Sequence, residues 1–369
     1  MKSILFFSNY PTPYRVEFFN QLGKTTDLTV IFTARPEEQL HREKKWFSFN
    51  YSSFRPLFLQ KKRSIFGIEV FTDVFRYLNK QYDIIIMGGY SNPTQMIAIE
   101  YLRTHRKPFF IEADGGLIKR DSSLNYAIKK HFISAATGYF SSGTTTDQYF
   151  AYYTDNHRKP IVRFPFSSLT KNEIEENYCK AKHCDKSIYR REIGITEKKV
   201  ILSVGQMIYR KGFDILIEAM EGIPSSVGVY IVGGQPSDEL LTKVKRGRLT
   251  NIHFVGFQDK NELARYYLAA DIFVFPTRED VWGLVINEAL SYGLPVISSD
   301  RCGAALELVK DRNTGYIFTN ESVDELHSIL KHCLNGEYID LRDNCFNVSR
   351  EYTIEKMVEA HLSAISNIP

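Results

Sequence analysis

The run Arg278-Glu-Asp-Val-Trp-Gly-Leu-Val-Ile-Asn-Glu288-Ala-Leu-Ser-Tyr-Gly-Leu-Pro-Val296 holds the residues best placed to do chemistry. It sets an acidic pair, Glu279 and Asp280, in a loop after the apolar stretch Asp271–Pro276 and ahead of a helix that carries Glu288. A helix beginning near Gly283 presents its first free N–H groups, those of Gly283, Leu284 and Val285, and its positive dipole end, which together make an anion site flanked by carboxylates. Seven residues separate Asp280 from Glu288. Asp280 then lies just before the helix, and Glu288 projects from its second turn about 8–9 Å further along the axis. Amides for phosphates and acids for hydroxyls suit a sugar diphosphate. Gly283 lets backbone approach the phosphates without an intervening side chain. The plainer reading of one such acidic pair is a helix-capping acid and an exposed Glu on the flank.

A second segment is basic. Val200-Ile-Leu-Ser-Val-Gly205-Gln206-Met-Ile-Tyr-Arg210-Lys211-Gly212-Phe-Asp-Ile-Leu reads as a strand, a loop bearing two cations, and a helix. By itself it is also a βα turn with solvated basic residues. A third, Asn251-Ile-His-Phe-Val-Gly256-Phe257, reads as an apolar strand ending in a glycine turn, which alone is ordinary core.

These loops need a scaffold. Strand-length apolar runs alternate with helical patterns, which indicates parallel α/β sheets. The first half offers Ile4–Phe7, Leu28–Phe32, Ile84–Met87, Phe109–Ile111, Tyr139–Ser141 and Ile161–Phe164. The second offers Val200–Val204, Val227–Val232, Ile252–Val255, Ile272–Phe275, Val296–Ser298 and Tyr316–Phe318. A chain of 369 residues exceeds the usual reach of one core, so two α/β halves are expected. They span residues 1–168 and 169–350, joined through the charged stretch Lys171–Glu197, with 351–369 as a terminal helix. Ligands of such sheets bind beyond the C-terminal strand ends, so the expected site is a cleft between the halves.

In the first half the loops at those ends are Asn9-Tyr-Pro-Thr-Pro-Tyr14-Arg15, Gly88-Gly89-Tyr90-Ser-Asn-Pro, and Glu112-Ala-Asp114-Gly115-Gly116. Tyr14, Arg15, Tyr90 and Asp114 are the candidates for binding a second substrate. A turn-forming Asp before Gly-Gly is the alternative account of Asp114.

The string Asp280 to Val296 resembles the donor-site signature of the retaining glycosyltransferases of family four, a GT-B-fold family, of the bacterial surface-polysaccharide type. That signature reads Glu, seven residues, Glu, then Ala-Met-Ala-x-Gly-x-Pro-Val. The basic loop and the Asn251–Phe257 strand resemble the same family, and the resemblance covers nearly the whole chain. It implies two Rossmann-like domains facing a cleft, residues 1–168 binding the acceptor and 169–350 the nucleotide-sugar donor, with the terminal helix crossing back to the first domain. It implies that Glu288 contacts the ribose and that Asp280 or its neighbour Glu279 orients the sugar. Lys211 directs charge at the diphosphate. The family's Arg position is Gln206 here, beside Gly205, so either Arg210 takes over part of that charge or the site stabilises the leaving group less. The strand end at Phe257 holds the base, and Asp114 stands by chain position where the family has a polar catalytic-centre residue, often His.

The reaction so implied is transfer of a sugar from a nucleotide donor, UDP-sugar favoured, to an acceptor hydroxyl with retention, on a lipid-linked oligosaccharide. No Asp-x-Asp stands at a plausible place for a divalent metal, so activity is expected without metal or other cofactor. Two other readings share these features: a GT-B-fold sugar-nucleotide epimerase or phosphorylase, and a non-catalytic nucleotide-sugar-binding module at a membrane. No Gly-x-Gly-x-x-Gly follows a strand, which argues against a nicotinamide enzyme.

Charge bears on the partner. The chain is +4 overall, but residues 1–168 hold 23 Lys and Arg against 14 Asp and Glu. Clusters at Arg42-Glu-Lys44-Lys45-Trp46, Lys61-Lys62-Arg63-Ser-Ile-Phe66 and Lys129-Lys130 sit beside apolar residues. Such pairings attract an anionic membrane surface at about 1 kcal/mol per well-placed cation, solvated surface being the plainer account of each. No nucleic-acid motif accompanies the charge. Five scattered cysteines do not make a disulfide framework, and Cys179, His183 and Cys184 lack a second ligand pair for a metal. With no apolar run of membrane-spanning length and a start too short for a secretory signal, the expected location is the cytoplasm, peripheral at the inner face of the cell membrane.

Overall fold

Val-, Ile- and Phe-rich runs become strands buried on both faces, and the amphipathic segments between them become covering helices, which is how parallel sheets form. The computed structural model describes residues 1–33, 49–65, 67–154, 159–183, 185–309, 313–334 and 341–368. The cluster Arg42 to Trp46, together with Phe66 and Cys184, lies outside the described residues. The chain divides into two compact units, one of residues 1–168 with 354–369, the other of residues 169–353.

The first unit runs β1 (Ser3–Ser8), α1 (Pro13–Leu22), β2 (Asp27–Phe32), β3 (Arg55–Phe58), β4 (Lys62–Ile65), β5 (Ile68–Phe71), α2 (Val74–Leu78), β6 (Ile84–Met87), α3 (Pro93–Thr104), β7 (Phe110–Ala113), α4 (Ser123–Ser134), β8 (Gly138–Ser141), α5 (Thr144–Tyr153) and β9 (Ile161–Arg163). The second runs α6 (Lys171–His183), α7 (Lys186–Glu192), β10 (Lys199–Val204), α8 (Phe213–Ala219), β11 (Val227–Val232), α9 (Asp238–Arg246), β12 (Ile252–Val255), α10 (Lys260–Ala269), β13 (Ile272–Phe275), α11 (Leu284–Ser291), β14 (Val296–Ser299), α12 (Gly303–Leu308), β15 (Gly315–Phe318), α13 (Val323–Leu334) and α14 (Arg342–Arg350). The chain closes with α15 (Ile354–Asn367), which belongs to the first unit.

The first sheet has the order β3-β2-β1-β6-β7-β8-β9, every pair parallel. The second has the order β12-β11-β10-β13-β14-β15, again parallel throughout. Each sheet reverses its winding once, between β1 and β6 in the first and between β10 and β13 in the second. In doubly wound sheets that reversal opens a crevice at the C-terminal strand ends, and ligands bind there. The loops after β10 and β13 carry Lys211 and Asp280, while β1 leads into α1 with Arg15 in its first turn and the loop after β6 carries Tyr90, with Asp114 one strand further on.

Each sheet has its own core. Leu5, Ile31, Ile85, Ile99, Ile111 and Phe150 pack in the first, and Ile201, Leu216, Val229, Val274, Ile297 and Leu326 in the second. The Lys61–Arg63 cluster leads into an antiparallel hairpin of β4 and β5, with Lys62 paired to Glu69 at 2.6 Å.

Candidate functional site

In the second unit, β10 ends at Val204, and the chain passes Gly205 and the exposed Gln206 into a single 3-10 turn, Tyr209–Lys211. Gly212 then takes a left-handed φ of 67° that few other residues accept. A Cβ on it would lie 2.0 Å from the carbonyl oxygen of Pro276, so glycine alone lets the basic loop lie against the loop after β13. Further bonds fix the two loops together. The Arg278 N–H donates to Arg210 O at 2.8 Å, and the Thr277 hydroxyl donates to the same oxygen at 2.9 Å. The Arg278 guanidinium donates to both oxygens of Asp214 at 2.7 Å and to Glu321 at 2.6 Å, and lies 3.9 Å over the Tyr209 ring. Burial pushes the Asp214 carboxyl up, but the Arg278 hydrogen bonds and charge hold it below its ordinary value.

This frame brings Lys211 and Asp280 together, 69 residues apart in the chain. Lys211 Nζ donates to Asp280 Oδ2 at 2.5 Å and sits 4.8 Å from the centre of the Phe275 ring, with both charged side chains largely buried. Arg210 Nη1 lies 3.7 Å from the same carboxylate oxygen and donates to Glu279 O at 2.7 Å. Glu279 thus contributes its backbone oxygen to the basic loop.

Asp280 is fixed from the other side by a bridge to the chain after β14, its N–H donating to Arg301 O at 2.8 Å. Gly283 caps α11 with φ 96°, and a Cβ there would stand 2.5 Å from Cys302 Sγ. The need for glycine is therefore already set by the packing under the helix end. Burial pushes the Cys302 thiol up to about 12, so it stays a neutral space-filler that donates to Trp282 O. The first bond that the cap accepts comes from the Ile286 N–H, leaving the Leu284 and Val285 amides at the open end of the helix.

Glu288, half-buried on α11, accepts from the Tyr267 hydroxyl at 2.9 Å, and burial raises its carboxyl above the ordinary range. Tyr267 is itself buried and stacked on Tyr292 at 5.0 Å. Phe257, just past β12, is 49% exposed, an unusual surface position for a large ring.

In the first unit the structure joins Arg15 and Asp114 directly, and Tyr149, which bonds Tyr90, packs on Gly116 of the turn that follows Asp114. Arg15 is buried at 7% exposure and bridges two carboxylates, Glu112 Oε1 at 2.6 Å and Asp114 Oδ1. It acts on Asp114 from inside the fold and does not face solvent. Tyr14 packs edge-on to Phe166 at 5.8 Å, and burial together with the Asp114 charge raises its hydroxyl to about 12. Tyr90 shares a hydroxyl–hydroxyl hydrogen bond with Tyr149. Burial, the largest influence, and the charge of Glu112 raise the Asp114 carboxyl to about 6 against the pull of Arg15.

Glu112 also meets His361 of α15, Oε2 to Nε2 at 2.7 Å. Residue types and spacing had singled out neither His361 nor Tyr267. His361 lies 249 positions from its partner, and Tyr267 reads as one more aromatic on an amphipathic helix, so no local signal marks either. Cys179 Sγ lies 3.8 Å from His183 Nδ1, and among the described residues no group of three or more metal-ligating side chains is assembled.

Two parallel doubly wound units of this kind define the GT-B architecture, and solved structures agree. HepE from Anabaena in complex with UDP and glucose superposes with a TM-score of 0.73 over 100% of both chains at 17% identity. The glycosyltransferase WaaG, described as involved in lipopolysaccharide biosynthesis, superposes with a TM-score of 0.66 over 99% of both chains at 16% identity. Residues 185–352, which hold Lys211, Asp280 and Glu288 and make up most of the second unit, match the family of glycosyl transferases group 1. The lipopolysaccharide glucosyltransferase WaaG of Escherichia coli K12 is 32% identical over 156 residues, 40% of this chain and 41% of its own length. A GDP-mannose-dependent phosphatidylinositol monomannoside mannosyltransferase of Mycobacterium tuberculosis is 32% identical over 149 residues, 37% of this chain and 38% of its own. The chain thus matches well under half the length of these two relatives.

Proposed function

We propose that this protein is a glycosyltransferase that moves a sugar from a nucleotide-sugar donor, UDP-sugar favoured, to an acceptor hydroxyl with retention at the anomeric carbon. The observation that carries this is the Lys211–Asp280 ion pair at the open amide end of α11, with Glu288 further along the same helix. Lys211, Arg210 and the amides of Leu284 and Val285 receive the diphosphate. Asp280 or Glu279 orients the sugar, Glu288 holds the ribose, and Phe257 with the Gly205–Gln206 turn borders the base and phosphates. As the bond from the anomeric carbon to the phosphate oxygen breaks, the positive groups stabilise the departing charge. The acceptor oxygen bonds to that carbon on the same face, and its proton passes to the departing phosphate. This route needs no metal.

The first unit takes the acceptor, with Asp114, Tyr14 and Tyr90 near it, Arg15 acting behind Asp114, and α15 as its closing helix. A lipid-linked oligosaccharide in surface polysaccharide assembly suits the relatives' roles. It also suits the exposed Ile118, next in the chain to exposed Lys119 and Arg120, and the exposed Leu124 and Ile128 of the following helix α4, at 42%, 70% and 39%, the mixture of apolar and basic residues that an anionic bilayer surface attracts. Among the described residues no helix is long and apolar enough to cross a membrane, and the proposed contact is peripheral.

The test is calorimetric titration with UDP, GDP, ADP and NAD, with and without EDTA, repeated on Glu288→Ala. Selective UDP binding that survives EDTA and collapses in the variant is expected. Binding of NAD alone, or of none of the four, overturns the proposal. GDP selectivity would move the donor class to that of the mannosyltransferase relative.

A further inference from the structure

Four ionisable side chains form one line through the first unit. His361 Nε2 meets Glu112 Oε2 at 2.7 Å, Glu112 Oε1 meets Arg15 Nη1 at 2.6 Å, and Arg15 Nη2 meets Asp114 Oδ1. Three are buried: His361 at 0%, Glu112 at 1% and Arg15 at 7%. The fourth, Asp114, emerges at the Gly115-Gly116 turn with its side chain 35% exposed. The line comes from three elements, since α15 supplies His361, β7 supplies Glu112 and leads into Asp114, and α1 supplies Arg15.

Holding α15 in place does not require this arrangement. The helix already buries Ile354, Met357, Val358 and Ile365, and apolar packing is the cheaper way to anchor a helix. His361 is instead seated with care. Its ring is stacked on Phe140 at 4.6 Å and 2° and flanked by Phe18 and Phe164 at 4.9 Å. Nδ1 faces Met357 O at 2.7 Å, and Nε2 faces a carboxylate. Both ring nitrogens face acceptors, so the protonated ring satisfies both. Its charge then balances the line, two carboxylates against a guanidinium and an imidazolium. Without that charge one carboxylate is in excess in a buried setting, and the partly exposed Asp114 is the one free to take up a proton.

We propose that His361 is a positioning residue for Asp114, acting through Glu112 and Arg15, so that the closing helix sets the charge and direction of a carboxylate it does not touch. The inference rests on the reading of Asp114 as an acceptor-side group. The ionisable groups facing Asp114 are Arg15 and Tyr14 from α1, Glu112 from β7 and His361 from α15, and Tyr10 faces Tyr14.

The test needs no substrate. The full chain, labelled with carbon-13 at aspartate side-chain carboxyls, is titrated by NMR, with Asp114→Asn identifying the signal. In His361→Gln the Asp114 midpoint is expected to rise by about one pH unit, the smaller end of what a nearby opposite charge supplies, because this charge acts through two intermediaries. In Glu112→Gln it is expected to fall, since a like charge has gone. A helix anchor with no electrostatic role gives no such opposed pair. An Asp114 midpoint unmoved in folded His361→Gln overturns the proposal. Should that variant not fold, His361→Phe keeps a ring between Phe18, Phe140 and Phe164 and is held to the same outcome. UDP titration of the unaltered chain is read separately. Its failure would remove the transferase reading while leaving the coupling measured.

Discussion

Replacing Lys211 by methionine keeps the apolar stem against Phe275 and removes only the charge. One of the three ammonium N–H bonds is spent on Asp280 at 2.5 Å, and the others are available to a diphosphate. Two losses follow. Asp280 is left largely buried with Arg210 at 3.7 Å as its remaining cation, so the penalty should be smaller than the 3–5 kcal/mol for stranding a fully buried charge, or about 2 kcal/mol. A hydrogen bond to a charged group contributes about 1.5–3 kcal/mol, which predicts UDP binding weakened roughly ten- to hundredfold. In turnover the loss should be greater, about two to three decades, because the charge on the departing phosphate grows as its bond to the sugar breaks. Urea unfolding and UDP calorimetry read the first two losses independently. Adding Asp280→Asn should recover most of the stability and none of the UDP affinity. Wild-type UDP affinity in a folded Lys211→Met chain would refute the reasoning, whatever happened to stability.

Further outcomes follow from the same geometry. Tyr267→Phe removes the hydroxyl that donates to Glu288, so UDP affinity should fall several-fold, less than in Glu288→Ala, as calorimetry would read. Gly283→Ala forces a Cβ to within 2.5 Å of Cys302 Sγ at a left-handed φ; a loss of about 2 kcal/mol in urea unfolding is expected, with Cys302→Ala restoring part of it. Replacing Leu124 and Ile128 by Glu should reduce sedimentation with anionic phosphatidylglycerol vesicles at least tenfold without altering UDP binding, and equal sedimentation would remove this face from the membrane reading. Asp114 has its folded value raised from 3.8 to about 6, so its contribution to stability is present below 3.8 and lost as pH rises through 6. Asp114→Asn does not titrate, so its melting temperature relative to wild type should climb between pH 4 and 6 and then level off; a constant difference would contradict the burial argument.

The sheets were legible because strands buried on both faces read as unbroken apolar runs. All six proposed strands of the second half correspond to β10 to β15, and the six of the first half to β1, β2 and β6 to β9. The strands that escaped notice are those without such runs. β3 begins Arg55-Pro56 at the sheet edge, where proline is tolerated because one side of the strand needs no partner. β4 is Lys-Arg-Ser-Ile and β5 is Ile-Glu-Val-Phe, so the one opens on two cations and the other is broken by a carboxylate, and the pair reads equally well as a charged surface cluster.

The limits of the site reading have the same origin. Spacing within one segment could set Asp280 and Glu288 on either side of a helix start, because a helix fixes distances over eight residues. It could not place Lys211 on Asp280, since that distance is fixed by the β10–β13 neighbour relation and by the contact of Gly212 with Pro276. Arg278 shows the point most clearly. It opens the acidic run with no partner visible in its own segment, and its guanidinium is turned onto Asp214 and Glu321, closing the frame that holds the two loops together. Its charge is committed to two carboxylates, whereas Arg210 meets the Asp280 carboxylate only at 3.7 Å. With Gln206 uncharged, the diphosphate site proposed above would draw its charge on the basic loop from Lys211 first and Arg210 second, and Arg278→Ala should act on that proposed site by loosening both loops, lowering stability together with UDP affinity where Lys211→Met separates them.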